Sequence, residues 1–118
     1  MKTKNDYRIN VIYSRVSIPA QKDYLGIQTQ KVKDFCSAKG NAVDVVFSDI
    51  CSCQWDKRKG YNKLFNLIIN KKVNTIFVEH KNRLFRDYDN DNIFDEFEKL
   101  CQSYGTKIVA VENTDAEL

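Results

Sequence analysis

The side chains best suited to chemistry in this 118-residue chain are a few serines and a scattered set of arginines. Three apolar runs lead into them. The first, 8–13, runs into Tyr13-Ser14-Arg15-Val16-Ser17. The second, 43–48, leads into Ser48-Asp49 and a segment holding Ser52 and Arg58. The third, 73–79, ends in Glu79-His80 and opens a turn with Arg83 and Arg86. Parallel α/β sheets place their sites at the C-terminal ends of strands, so one edge would gather two or more serines with Arg15, Arg58, Arg83 and Arg86. Such a set suits a phosphodiester. Its transition state concentrates negative charge, and losing one preorganised donor typically costs about 10²–10³ in rate. A nearby guanidinium also favours ionisation of a serine hydroxyl. A phosphate-binding surface without catalysis is the alternative, and the catalytic reading stands only slightly above it.

These side chains meet only if the intervening elements bring them together. After the strand at 8–13, residues 22–39 are predicted helical, with Leu25, Gln28, Val32, Phe35 and Cys36 near one face and Gly40 as the stop. A second strand is predicted at 43–48. Residues 49–60 have no clean period and read as a loop, with Arg58 expected farther from the other arginines. A helix at 61–71 carries Leu64, Phe65, Leu67 and Ile68, and a strand at 73–79 is followed by a polar turn, 80–91. The helix at 92–104 has the clearest period: Ile93, Phe94, Phe97, Leu100, Cys101 and Tyr104 form one stripe. Asp91, Asp95 and Glu96 stand near its N-terminus, where the helix dipole favours anions, and Gly105 closes it. A last strand covers 107–111. This alternation predicts an α/β fold of three layers: a mainly parallel four-stranded sheet with helices on both faces. Thr114 and Glu117 have capping-box spacing, so another helix is expected to begin where the chain stops at Leu118.

Length fits a single domain, 1–118, with residues 1–7 polar and expected to be flexible. Hydrophobic residues make up 42% and aromatics 12%, which excludes a disordered chain. No apolar run approaches the ~18 residues of a membrane span, and the N-terminus has no apolar signal region. A cytoplasmic protein without membrane contact is therefore expected. Without a secretory signal the four cysteines point to a reducing compartment rather than to disulfides. Cys36 and Cys101 fall on apolar helix faces and read as small buried hydrophobes. Cys51 and Cys53 are too close for the usual zinc half-site. With His80 the only histidine, neither a His metal cage nor a Ser-His-Asp triad is expected.

Charge is polarised along the chain. Residues 57–86 hold nine basic side chains (Lys57, Arg58, Lys59, Lys63, Lys71, Lys72, Lys81, Arg83, Arg86) against Glu79 alone. Residues 87–118 hold nine acids against Lys99 and Lys107. Solvated helix faces account for the lysines, whereas arginines in loops suit bidentate phosphate binding. A P-loop, a dinucleotide fingerprint and a G-x-S-x-G elbow are all missing. The acids Asp49, Asp56, Glu79 and Asp87 are too scattered to suggest a two-metal site.

Taken in order, these blocks resemble the catalytic domain of the serine recombinases, the resolvase/invertase family, and most closely its transposase-type members. Tyr13-Ser14-Arg15-Val16-Ser17 is similar to the family's Y-x-R-V-S, whose last serine is the nucleophile. Gln21 and Gln28 resemble its two glutamines, and Phe47-Ser48-Asp49-Ile50-Cys51-Ser52 its F-x-D-x-x-S block. Arg58-Lys59-Gly60 resembles R-x-G, and Asn82-Arg83-Leu84-Phe85-Arg86 resembles D-R-L-x-R.

The resemblance implies that Ser17 attacks a DNA phosphate, giving a 5′-phosphoserine link and a free 3′ hydroxyl. Arg15, Arg83 and Arg86 would bind the scissile phosphate, and Arg58 would assist. Tyr13, Gln21, Gln28, Asp49, Ser52 and Asn82 would support the site. It further implies DNA as partner, homodimers and tetramers as the working assembly, and no metal, nucleotide or other small-molecule cofactor. A dimerisation helix and a DNA-binding module belong to the family pattern and are not expected within this chain. Two departures stand out: Asn82 replaces the family's aspartate and so loses a charge, and Cys53 replaces a glycine. Asn82 keeps open a catalytically weak relative acting as a DNA-binding or regulatory subunit. A flavodoxin-like or receiver-like signalling domain would share the sheet, but it needs acidic or flavin-binding strand ends rather than cationic ones.

Overall fold

The computed structural model describes residues 7–85 and 92–112. Arg86 and the Thr114–Glu117 capping pair lie outside the described residues.

Four strands form one parallel sheet in the order β2-β1-β3-β4: β1 (Ile9–Val16), β2 (Val45–Ile50), β3 (Val73–Val78) and β4 (Lys107–Ala110). Helices α1 (Lys22–Ala38), α2 (Lys59–Ile69) and α3 (Ile93–Ser103) connect them. The central strands β1 and β3 form because their residues can be buried on both faces, as parallel sheets require, whereas the edge strand β2 alternates half-buried and exposed residues. Val11, Ile12 and Tyr13 of β1 are wholly buried.

The two faces pack separately. Ile12 and Phe77 meet Val32 and Cys36 of α1 on one side. Val11, Tyr13, Ile76 and Val78 meet Tyr61, Leu64 and Ile68 of α2 and Phe97 and Cys101 of α3 on the other. Burial pushes the Cys101 thiol up to about 12, so it behaves as an inert hydrophobe, as the apolar stripe of α3 foretells. The three-layer architecture agrees with expectation.

Two boundaries differ from it. β1 continues to Val16, so Ser14 and Arg15 are strand residues, not residues beyond a strand. The segment 49–60 is also more ordered than a long loop. β2 runs to Ile50, a 3-10 turn spans Trp55–Lys57, and α2 begins at Lys59. A sequence period cannot show this, because the segment is held by contacts with distant residues.

Candidate functional site

The C-terminal ends of β1, β2 and β3 lie side by side, with Arg15 in register with Asp49. The Val16 carbonyl accepts from the Cys51 N–H on the β2 side. Successive strand residues alternate, so the Arg15 amide faces the other way, where β1–β3 pairing has ended at Ile12 and Phe77. Gln28 of α1 fills that gap. Its Oε1 accepts from the Arg15 N–H at 2.9 Å and its Nε2 donates to the Arg15 carbonyl at 3.0 Å. A fully buried glutamine amide thus stands in for a missing strand.

Asp49 fastens α2 to β2. Its Oδ1 accepts from the Gly60 N–H at 2.8 Å; its Oδ2 accepts from the Tyr61 N–H at 2.9 Å and the Tyr13 hydroxyl at 2.7 Å. The carboxylate satisfies first-turn amides and meets the positive end of the helix dipole. Burial, reinforced by Asp49, pushes the Tyr13 phenol far up, so it remains a donor. Gly60 is required there: a Cβ would lie 2.6 Å from the Ser48 carbonyl oxygen.

Both buried arginines grip the turn that follows β3. Arg15, 2% exposed, donates from Nε to the Arg83 carbonyl at 2.8 Å and from Nη2 to the Asn82 carbonyl at 2.7 Å. Its Nη1 donates to the Cys51 carbonyl at 3.1 Å. Arg58, just before α2, donates from Nη1 to the Leu84 carbonyl at 2.6 Å and from Nε to the Cys53 carbonyl at 3.2 Å. The expectation of an outlying Arg58 is therefore corrected: it is 1% exposed, and its Nη2 is buried without a partner. Leu84 and Phe85 anchor the same turn in the core, with Phe85 edge-on to Phe97 at 5.1 Å and to Trp55 at 5.6 Å.

Arg83 projects from this turn, partly exposed. Its Nε and Nη2 donate to Glu79 Oε1 at 3.1 and 2.9 Å, and its guanidinium lies over the Tyr24 ring. Glu79 Oε2 also accepts from the Tyr24 hydroxyl and from Lys31 Nζ at 2.9 Å. Burial alone would push the Glu79 carboxyl up, but these donors outweigh it and hold its pKa below the ordinary value. Glu79, Tyr24 and Lys31 are functional candidates that sequence reasoning missed. The available signal was a glutamate closing an apolar strand, since a buried carboxylate needs cationic partners.

Ser17 follows the last residue of β1 and is partly exposed. Its N–H donates to Gln21 Oε1 at 3.2 Å, so the opening serine and the first glutamine do meet. Ser17 does not cap α1, whose N-cap is Gln21. Ser52 is exposed, and the Asn82 side-chain Oδ1 is buried without a partner. Contrary to the expectation of unpaired thiols, Cys51 and Cys53 form a disulfide, with Cα atoms 5.3 Å apart on either side of Ser52. Among the described residues, no group of three His, Cys, Asp or Glu could hold a metal ion.

Ser17 thus follows the end of β1, and Arg15 and Arg58 bond the backbone of the turn after β3. The chain belongs to the resolvase N-terminal domain family, whose model matches residues 10–117. It is 36% identical to the C-terminal catalytic domain of ISC1926 TnpA, an IS607-like serine recombinase, with a TM-score of 0.78 over 89% of this chain and 71% of that one. A serine recombinase from Sulfolobus solfataricus is 32% identical, with a TM-score of 0.77, over 89% of this chain and 69% of that one. A protein named as a resolvase, R771 of Acanthamoeba polyphaga mimivirus, is 32% identical over 115 residues, 97% of this chain and 55% of the relative. The chain spans about half the length of that viral relative.

Proposed function

We propose that this domain cuts and rejoins DNA strands through a 5′-phosphoserine intermediate on Ser17, as the catalytic part of a site-specific recombinase or transposase. The Ser17 oxygen attacks phosphorus, the bond from phosphorus to the 3′ oxygen breaks, and the 3′ hydroxyl leaves. The serine proton is lost and the departing oxygen gains one. Reversal by another 3′ hydroxyl rejoins the strand, because the phosphoserine ester keeps the energy of the broken bond. Arg83 and Arg86 bind the scissile phosphate. Arg15 and Arg58 act at one remove, holding the turn on which Arg83 stands. DNA is the substrate, a homodimer or tetramer is the working assembly, and the cytoplasm is the site of action.

One observation carries this reading. Arg15 in the same strand end as Ser17, and Arg58 before α2, both bond the backbone of residues 82–84. These bonds tie the end of β1 and the start of α2 to the turn after β3, which supports a preorganised site.

Asn82 favours a second reading, a weakly active relative with a regulatory or DNA-binding role. A suicide DNA substrate, nicked so that rejoining is blocked, separates the two in the longer protein. The enzyme gives a protease-sensitive DNA adduct that Ser17→Ala abolishes while binding persists. An adduct that survives Ser17→Ala refutes Ser17 as the nucleophile, and no adduct from the wild type supports the regulatory reading.

A further inference from the structure

The roles proposed so far leave the Tyr24–Glu79–Lys31 cluster unused. Glu79 is 1% exposed, yet it sits at the end of β3 beside a phosphate-binding arginine, where a carboxylate should repel the ligand. Its geometry resolves the conflict. Glu79 Oε1 takes Nε and Nη2, one complete edge of the Arg83 fork, while the Tyr24 ring covers one face, with the guanidinium carbon 5.6 Å from the ring centroid. Among the described residues, Nη1 of Arg83 donates to none. Lys31 bonds Glu79 at 2.9 Å and Glu112 at 2.6 Å, so positive charge also faces the carboxylate from α1.

We infer that Glu79 and Tyr24 are positioning residues that clamp one edge and one face of the Arg83 guanidinium, so that the end edge, Nη1 with the outer N–H of Nη2, is offered to a phosphate. The inference rests on the reading of Arg83 as a phosphate ligand. A free guanidinium prefers to bind phosphate through two parallel N–H bonds. The clamp forbids that mode on the Nε edge and fixes the angle of approach, which matters for an in-line displacement.

The test is NMR of the ¹⁵N-arginine-labelled chain titrated with inorganic phosphate, comparing wild type, Glu79→Gln and Arg83→Ala, the last to assign signals. In the wild type, the Arg83 Nε–H should exchange slowly with water, and phosphate should perturb the Nη signals while leaving Nε unmoved. In Glu79→Gln, Nε–H exchange should rise at least tenfold. Phosphate should then perturb Nε as well, and bind severalfold more tightly because a negative charge is gone. A merely structural glutamate would not move the edge at which phosphate binds. If the edge and the exchange rate are the same in both proteins, the clamp is overturned. If no Arg83 signal responds to phosphate in either protein, Arg83 is not a phosphate ligand and the underlying reading fails instead, even with a protected Nε–H. Tyr24→Ala, at a solvent-facing position of α1, keeps the test open should Glu79→Gln not fold. It should raise Nε–H exchange severalfold, and an unchanged rate would overturn the proposal.

Discussion

Gly60→Ala should be strongly destabilising, although the same substitution inside a helix usually stabilises. A Cβ at residue 60 would lie 2.6 Å from the Ser48 carbonyl oxygen and 2.9 Å from Asp49 Oδ2. The carbonyl belongs to β2 and cannot rotate away, so the start of α2 must lift off the sheet. Overpacking of this kind costs about 1–3 kcal/mol. Lifting also stretches the Gly60 and Tyr61 amide bonds to Asp49, which together forfeit about the worth of one bond to a charged acceptor, about 1.5–3 kcal/mol. Better helix propensity returns up to about 1 kcal/mol. The net loss is about 2–4 kcal/mol. With a urea slope near 2 kcal/mol per molar, the unfolding midpoint should fall by about 1–2 M. Gly26→Ala is the internal control. It lies within α1, and an added Cβ would meet nothing within 4 Å, so it should raise stability by up to about 1 kcal/mol. Equal effects of the two substitutions, or an unchanged midpoint for Gly60→Ala, would refute the seating of α2 on β2 and with it the account of how Arg58 is held.

Three further outcomes follow from the same contacts. Tyr13→Phe removes the hydroxyl bond to Asp49 and should cost about 1–3 kcal/mol in urea unfolding; no loss would mean that Asp49 does not depend on Tyr13. Asn82→Asp places a carboxylate where an amide oxygen is buried without a partner, beside a turn bonded by Arg15 and Arg58. It should raise the rate of adduct formation on a suicide substrate, and an unchanged or lower rate would remove the main support for the regulatory reading. The third concerns acid. Glu79 has a folded pKa below its ordinary value of 4.5, so its contribution is fully present above that pH and is lost as pH falls through the folded value. Stability measured by urea unfolding should therefore drop less steeply below pH 4.5 in Glu79→Gln than in the wild type.

The sequence by itself determined the order of elements and the sheet edge at which Arg15, Ser17 and Arg83 lie. Val11, Ile12 and Tyr13, or Ile76, Phe77 and Val78, are apolar on successive residues because a parallel strand is buried on both sides, and that pattern is local. The stripe on α3 is equally local. Ordered polar blocks after such strands suffice to place Ser17, Arg15 and Arg83 near one edge. Only the tertiary structure decided which way the arginines turn. Arg15 bonds carbonyls 67 and 68 residues away, and Arg58 bonds one 26 residues away. Nothing near Arg58 in the chain distinguishes a buried strut from a mobile phosphate ligand. The role of Glu79 was hidden for the same reason, because two of its donors come from α1, 55 and 48 residues earlier in the chain. A charged group's function depends on what surrounds it in space. Sequence periodicity reports burial, but it does not report the partners that make burying a charge tolerable.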